Sequence, residues 1–142
     1  MRSEIAEYLN FFPKGTAYTD VLLDGCPLAA DAHCRCLGEP DLLRSALHNL
    51  LENALEASPP KSTVLVNLIS GKDYRIEIRN KGAVPMQIRE RFFEKYVTHG
   101  KHQGTGLGTY SAKMMIEAQG GRIEMRTSDE EDETVVTVHM LV

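Results

Sequence analysis

At 142 residues the chain has the length of one domain, given roughly 100–200 residues per domain. Its composition, 42% hydrophobic and 25% charged, is ordinary globular usage and excludes disordered and fibrous classes. Sixteen Lys and Arg against twenty Asp and Glu leave a formal net charge of −4, which argues against nucleic-acid binding through bulk charge.

No apolar run reaches the roughly 18 residues of a membrane span, so no direct membrane contact is expected of this segment. The opening MRSEIAEYLN lacks the apolar stretch of a signal peptide, and a soluble, intracellular setting is expected. Along the chain, a helical piece is predicted over 5–12, broken at Pro13-Lys14-Gly15 and followed by strands over 18–23 and 34–37. Cys26, Cys34 and Cys36 are odd in number and crowded together, which reads as reduced thiols. His33-Cys34-Arg35-Cys36 lacks the second ligand pair of a zinc site. From Pro40, a residue suited to a first helical turn, Leu42, Leu43, Ala46, Leu47, Leu50, Leu51, Ala54 and Leu55 recur at helical spacing until Ser58-Pro59-Pro60. Residues 63–69 read as a strand. After the turn at 70–73, Tyr74, Ile76 and Ile78 alternate with Arg75, Glu77 and Arg79, the pattern of a half-buried strand in a hairpin. A short helix is predicted over 85–96 and a polar, glycine-rich loop over 99–108. A helix over 107–119 follows, with Leu107, Tyr110, Met114, Met115 and Ala118 inward, stopped by Gly120-Gly121. Strands over 122–127 and 134–141 flank an acidic turn at 129–133. The expected class is α+β: a two-layer sandwich with a mixed, mostly antiparallel sheet and about three helices on one face.

Three features carry chemistry. Asn49 and Asn53 lie one turn apart at the border of the apolar arc formed by Leu43, Ala46, Leu47, Leu50, Leu51, Ala54 and Ala57. Asn forms helices poorly because its amide competes for backbone hydrogen bonds. Either both amides simply face water, or they are neutral oxygen ligands for a hard cation such as Mg²⁺ and its phosphates. Gly104-Thr105-Gly106-Leu107-Gly108 runs into a helix, where free backbone N–H groups favour an anion. It is neither a Walker A loop nor a dinucleotide fingerprint, and glycines there also simply cap helices. Asn80-Lys81-Gly82-Ala83-Val84-Pro85 ends the alternating strand as a turn. The stretch 72–101 is locally basic, either a solvated face or the counter-charge of a polyphosphate.

Taken together and in order, these segments resemble the sensor histidine kinases. His48-Asn49-Leu50-Leu51-Glu52-Asn53-Ala54 is similar to their N box, Asn80-x-Gly82 to the G1 box, Phe92-Phe93 to the F box and Gly104–Gly108 to the G2 box. Gly38-Glu39-Pro40 and Thr134–Val138 are similar to the family's entry and closing segments, so the likeness covers about residues 34–142. The resemblance implies the Bergerat ATP-binding sandwich, with ATP and Mg²⁺ as cofactors. It implies that Asn53 coordinates the Mg²⁺ and that Asn49 lines the same phosphate site, the two being the catalytic pair. By the same resemblance Asn80, Gly82 and Val84 hold the adenine. Residues 98–108 form a flap, with Lys101, Gly104, Thr105, Gly106, Leu107 and Gly108 against the phosphates, and Thr134 belongs to the site through the closing strand. Phe92 and Phe93 pack the base of the flap.

Two departures from the family pattern matter. The G1 pattern D-x-G-x-G has Asn80 for its Asp and lacks the second glycine, so the charge-assisted bond to adenine, about twice as strong as a neutral one, is lost. Glu56 stands where some members carry a phosphate-binding Lys. Asn49 is neutral where related ATPases carry a water-activating Glu, which favours phosphoryl transfer over hydrolysis. None of the five histidines is followed by the acidic residue typical of a phosphoacceptor. The expected partners are therefore a phosphoacceptor His domain of the same or a partner chain, and a response regulator. Residues 1–16 are expected to be the tail of, or linker from, that helical-hairpin domain, and 17–142 the catalytic domain. The expected location is the bacterial cytoplasm, within a parent protein that is membrane-anchored or not. Two other readings stay open: a degenerate nucleotide-binding or docking module, and a serine kinase of the anti-sigma type.

Overall fold

The computed structural model describes residues 18–23, 26–27, 40–69, 71–97 and 107–141. The predicted helix over 5–12, the strand over 34–37, most of the glycine-rich loop and the His33–Cys36 stretch lie outside these residues.

Among the described residues six strands form one sheet: β1 (Tyr18–Leu23), β2 (Cys26–Pro27), β3 (Thr63–Ile69), β4 (Tyr74–Lys81), β5 (Arg122–Ser128) and β6 (Glu133–Met140). Their spatial order is β2-β1-β3-β4-β6-β5. β1 runs parallel to β3 and every other pairing is antiparallel. The sheet is thus mixed and mostly antiparallel, as the alternating patterns and tight turns predict. The two-residue β2, which continues the sheet beyond β1, has no counterpart among the predicted elements.

Helix α1 (Pro40–Ala57) supplies six of the eighteen buried residues of the core cluster, more than any other element. Pro40 fits its first position and Asp41 complements its N-terminal dipole. Beyond its end, Ser58 turns its hydroxyl back to the Ala54 carbonyl at 2.6 Å. Leu43, Ala46, Leu47, Leu50, Leu51 and Ala54 are buried. They join Val64, Val66 and Leu68 of β3, Ile76 and Ile78 of β4, and Val136, Val138 and Met140 of β6 in one cluster. At about 1.5–3 kcal/mol per buried aliphatic side chain, this cluster dominates the stability of the fold. Ala57, placed on the apolar arc from periodicity, is exposed.

Helix α2 (Gly108–Ala118) buries a different face from the predicted one. Thr109, Ala112 and Ile116 point inward, whereas Met114 and Ala118 are exposed. The helix is apolar around most of its girth, so spacing alone does not fix its rotation. On the buried face the Thr109 hydroxyl donates to the Phe92 carbonyl at 2.8 Å, and Ala112 and Ile116 pack into the core cluster. The helix ends in a Schellman motif. Gly120, at φ +79°, donates to the Glu117 carbonyl and Gly121 to that of Ile116, a conformation that favours glycine.

The predicted helix over 85–96 does not form. Ile88 bonds back to Pro85, Arg91 to Ile88 and Glu94 to Arg91, and the only helical turn there is the 3₁₀ segment Arg89–Arg91. The segment is held before its start, by Val84 to Thr127, and in its middle, where the Phe92 carbonyl is taken by Thr109 instead of an i+4 amide. Among the described residues two α-helices and this turn therefore take the place of the three expected helices.

Candidate functional site

Asn49, Asn53 and Ala57 follow one another at four-residue intervals and form a single stripe along α1. Both amides are half-buried, beside the buried Leu50 and Ala54. Each end of the stripe meets a glycine. At the Ala57 end stands Gly82, just past β4, with φ +109°; a Cβ there would lie 3.3 Å from the Ala57 carbonyl oxygen. At the Asn49 end stands Gly108, the first residue of α2, where a Cβ would lie 3.9 Å from the Asn49 Cβ. Eight residues of helix separate the two contacts, roughly 12 Å. Two elements distant in sequence thus meet one stripe of α1; at Gly82 the approach is too tight for a side chain, while at Gly108 it is ordinary van der Waals contact. A cavity of about 300 Å³ opens beside Asn49, lined among the described residues by Arg44, Ser45, His48 and Asn49.

At the other end, Asn80 is buried at the tip of β4. Its Nδ2 donates to the Lys81 carbonyl at 2.8 Å. A carbonyl only accepts, so that contact fixes the amide with Oδ1 as the remaining polar atom, an acceptor. Asn80 pairs across the sheet with Thr134, and Thr134 with Thr127, making a polar row on the helix-facing side. The Thr134 hydroxyl donates to the Gly82 carbonyl at 2.7 Å. Val84 is buried; its N–H goes to the Thr127 hydroxyl at 2.8 Å and its carbonyl accepts from Arg89 Nε at 2.8 Å. Leu107, half-buried, precedes α2.

Lys101, Gly104, Thr105 and Gly106 lie outside the described residues. Phe92 and Phe93 meet edge to face, with centroids 4.9 Å apart, and pack on the core cluster. Among the described residues the locally basic stretch does not converge on the stripe. Arg75 and Arg79 lie on the sheet face away from the helices, Arg89 pairs with Asp129 at 2.6 Å, and Lys95 sits over the Tyr110 ring. On that outer face His139 bridges Asp73 Oδ2 at 3.1 Å and Glu124 Oε1 at 3.0 Å. The bond to His139 holds both carboxyls below their ordinary values, against a smaller desolvation effect in the other direction. Among the described residues no group of three or more His, Cys, Asp or Glu is placed to hold a metal ion, and no helix is long and apolar enough to cross a membrane.

Sequence reasoning missed Thr127, Asp132, Arg89 and Asp129. Thr127, Asp132 and Arg89 bond to the loop after β4 and Asp129 holds Arg89, but from a hairpin about 45 residues away or across a turn. Only the register of β5 against β6 makes them visible.

The family model described as histidine kinase-, DNA gyrase B- and HSP90-like ATPase matches residues 38–142. The chain belongs to that family of nucleotide-binding domains. It is 29% identical over 105 residues to the sensor protein TorS of Escherichia coli, covering 72% of this chain and 12% of that protein. To the sensor histidine kinase AruS of Pseudomonas aeruginosa it is 35% identical over 115 residues, covering 73% of this chain and 11% of that protein. Among solved structures, the mycobacterial sensor histidine kinase MprB shares the fold with a TM-score of 0.71 at 21% identity, covering 97% of this chain and 87% of that one. The chain therefore spans only about an eighth of the length of these two curated relatives.

Proposed function

We propose that this chain is the ATP-binding catalytic domain of a two-component sensor histidine kinase, passing the γ-phosphoryl of ATP to a His on a separate domain. One observation carries the reading: the stripe Asn49–Asn53–Ala57, closely approached at its two ends by Gly82 and Gly108. A nucleotide laid along it has its base at the Asn80–Val84 end and its phosphates toward Asn49 and α2. Oδ1 of Asn80 accepts from the exocyclic amine of adenine, with Gly82, Val84 and Thr134 around it. Asn49 and Asn53 are half-buried neutral oxygen donors, a set suited to Mg²⁺, and Asn53 would hold the ion. Bound there, the ion neutralises phosphate charge. The chain's own contribution is to orient the nucleotide and exclude water, the larger part of catalysis in phosphoryl transfer.

Lys101, Gly104, Thr105, Gly106, Leu107 and Gly108 complete the site against the phosphates. Asn49, being neutral, activates no water, which favours transfer over hydrolysis. The phosphoacceptor domain, of the same or a partner chain, and a response regulator are the partners, and the bacterial cytoplasm is the compartment.

Calorimetry with ATP, with and without Mg²⁺, tests the proposal. Wild type is expected to bind saturably and Asn53→Ala to lose the Mg²⁺-dependent part without a change in thermal midpoint. Equal binding by the two would refute the assignment. The neutral Asn80 favours one rival, a docking module without phosphotransfer, for which the wild type would show no saturable heat.

A further inference from the structure

The loop Gly82–Val84 has three consecutive backbone N–H groups, and none is left for a ligand. Gly82 donates to the Asp132 carbonyl at 2.8 Å, Ala83 to Asp132 Oδ1 at 3.2 Å, and Val84 to Thr127 Oγ1 at 2.8 Å. All three acceptors belong to the β5–β6 hairpin. The protons can be followed further. Thr134 gives its single hydroxyl proton to the Gly82 carbonyl. In its 3.0 Å contact with Thr127 it must therefore accept, and the single Thr127 hydroxyl proton is shared between Thr134 Oγ1 and the Glu133 carbonyl at 3.1 Å. Asp132 holds its two contacts at φ +51°, a left-handed conformation that Asp tolerates better than most residues. Arg89 closes the clasp, joining the Val84 carbonyl to Asp129.

The geometry assigns Thr127 and Asp132 to the nucleotide site as positioning residues. By taking the loop's N–H groups they fix its course where the family's second glycine is absent, and so hold Asn80 Oδ1 as an acceptor offered to the base edge. Base selection then depends on two hairpin residues, Thr127 and Asp132, that act through the loop and not by touching the base. This inference rests on the adenine reading of the Asn80–Val84 loop.

The test measures affinities of the full 142-residue chain for Mg·ATP and Mg·ITP, whose base carries a carbonyl where adenine carries an amine. Wild type is expected to prefer ATP. Thr127→Val removes one hydroxyl at nearly constant shape. Asp132→Gly removes the carboxylate but suits the positive φ. Each is expected to lower the ATP-to-ITP ratio about three- to tenfold, the size of one hydrogen bond's loss. Thr127→Ser and Asp132→Asn, which keep an acceptor, are expected to restore it. A role confined to folding would weaken both nucleotides alike and leave the ratio unchanged. Undiminished ratios in both Thr127→Val and Asp132→Gly, with wild type selective, overturn the positioning role alone. A wild type that binds neither nucleotide, or both equally, overturns the adenine reading and this inference with it.

Discussion

Gly82→Ala tests the close approach at the end of α1 most directly. The new methyl would occupy a backbone at φ +109° and lie 3.3 Å from the Ala57 carbonyl oxygen. A non-glycine residue in such a conformation costs about 1–3 kcal/mol, and the contact forces either α1 or the loop to yield by a few tenths of an ångström. At roughly 2–4 °C per kcal/mol for a domain near this size, the thermal midpoint is expected to fall by about 3–10 °C. Gly71→Ala is the control. It lies in an exposed turn, where the nearest atom to the new methyl is the Asp73 carbonyl oxygen at 3.7 Å, so a change within about 0.5 kcal/mol is expected. Thermal unfolding followed by circular dichroism separates the two. Equal midpoints for Gly82→Ala and wild type, or equal losses in both variants, would refute the reasoning.

Two further outcomes are expected. Asn80→Asp restores the family's usual acid yet sets a carboxylate oxygen against the Lys81 carbonyl, where the amide now donates at 2.8 Å. With that buried bond lost, the free protein should be destabilised by about 1–3 kcal/mol in urea titrations, and a variant as stable as wild type would contradict the assigned amide orientation. The second concerns pH. Asp73 is held below its ordinary 3.8 and Glu124 below its ordinary 4.5, in each case mainly by the hydrogen bond to His139. Carboxyls depressed in the folded state stabilise it above their unfolded values and lose that contribution as pH falls through the folded ones. Wild type should therefore lose stability more steeply than His139→Phe below about pH 4.5; parallel curves would show that the bridge contributes nothing.

What the sequence made legible follows from periodicity. The core-facing leucines of α1 and the alternation of β4 are strong repeats, and the structure reproduces both elements to within a residue or two. The two asparagines stand out because they interrupt such a repeat at its margin. Periodicity fails where it carries little contrast. α2 is apolar on most sides, so its spacing does not show that the face of Thr109, Ala112 and Ile116 is the buried one. Residues 85–96 have helical composition, but the bonds that hold Val84 and the Phe92 carbonyl come from residues distant in sequence. The clasp on the loop was illegible for a different reason. Thr127 and Asp132 look like an unremarkable strand end and turn until β5 is set beside β6 and β6 beside β4.

The position of β5 as the last strand has a consequence for the behaviour of the molecule in solution. Among the described residues one side of its backbone has no neighbour in the sheet, yet Arg122, Glu124 and Arg126 stand exposed along it. A second molecule adding a strand there would have to match alternating positive and negative side chains at close range, and strand ends guarded by charge resist such addition. Replacing the three with valine would remove that guard and turn the rim of the sheet into a growth point for aggregates.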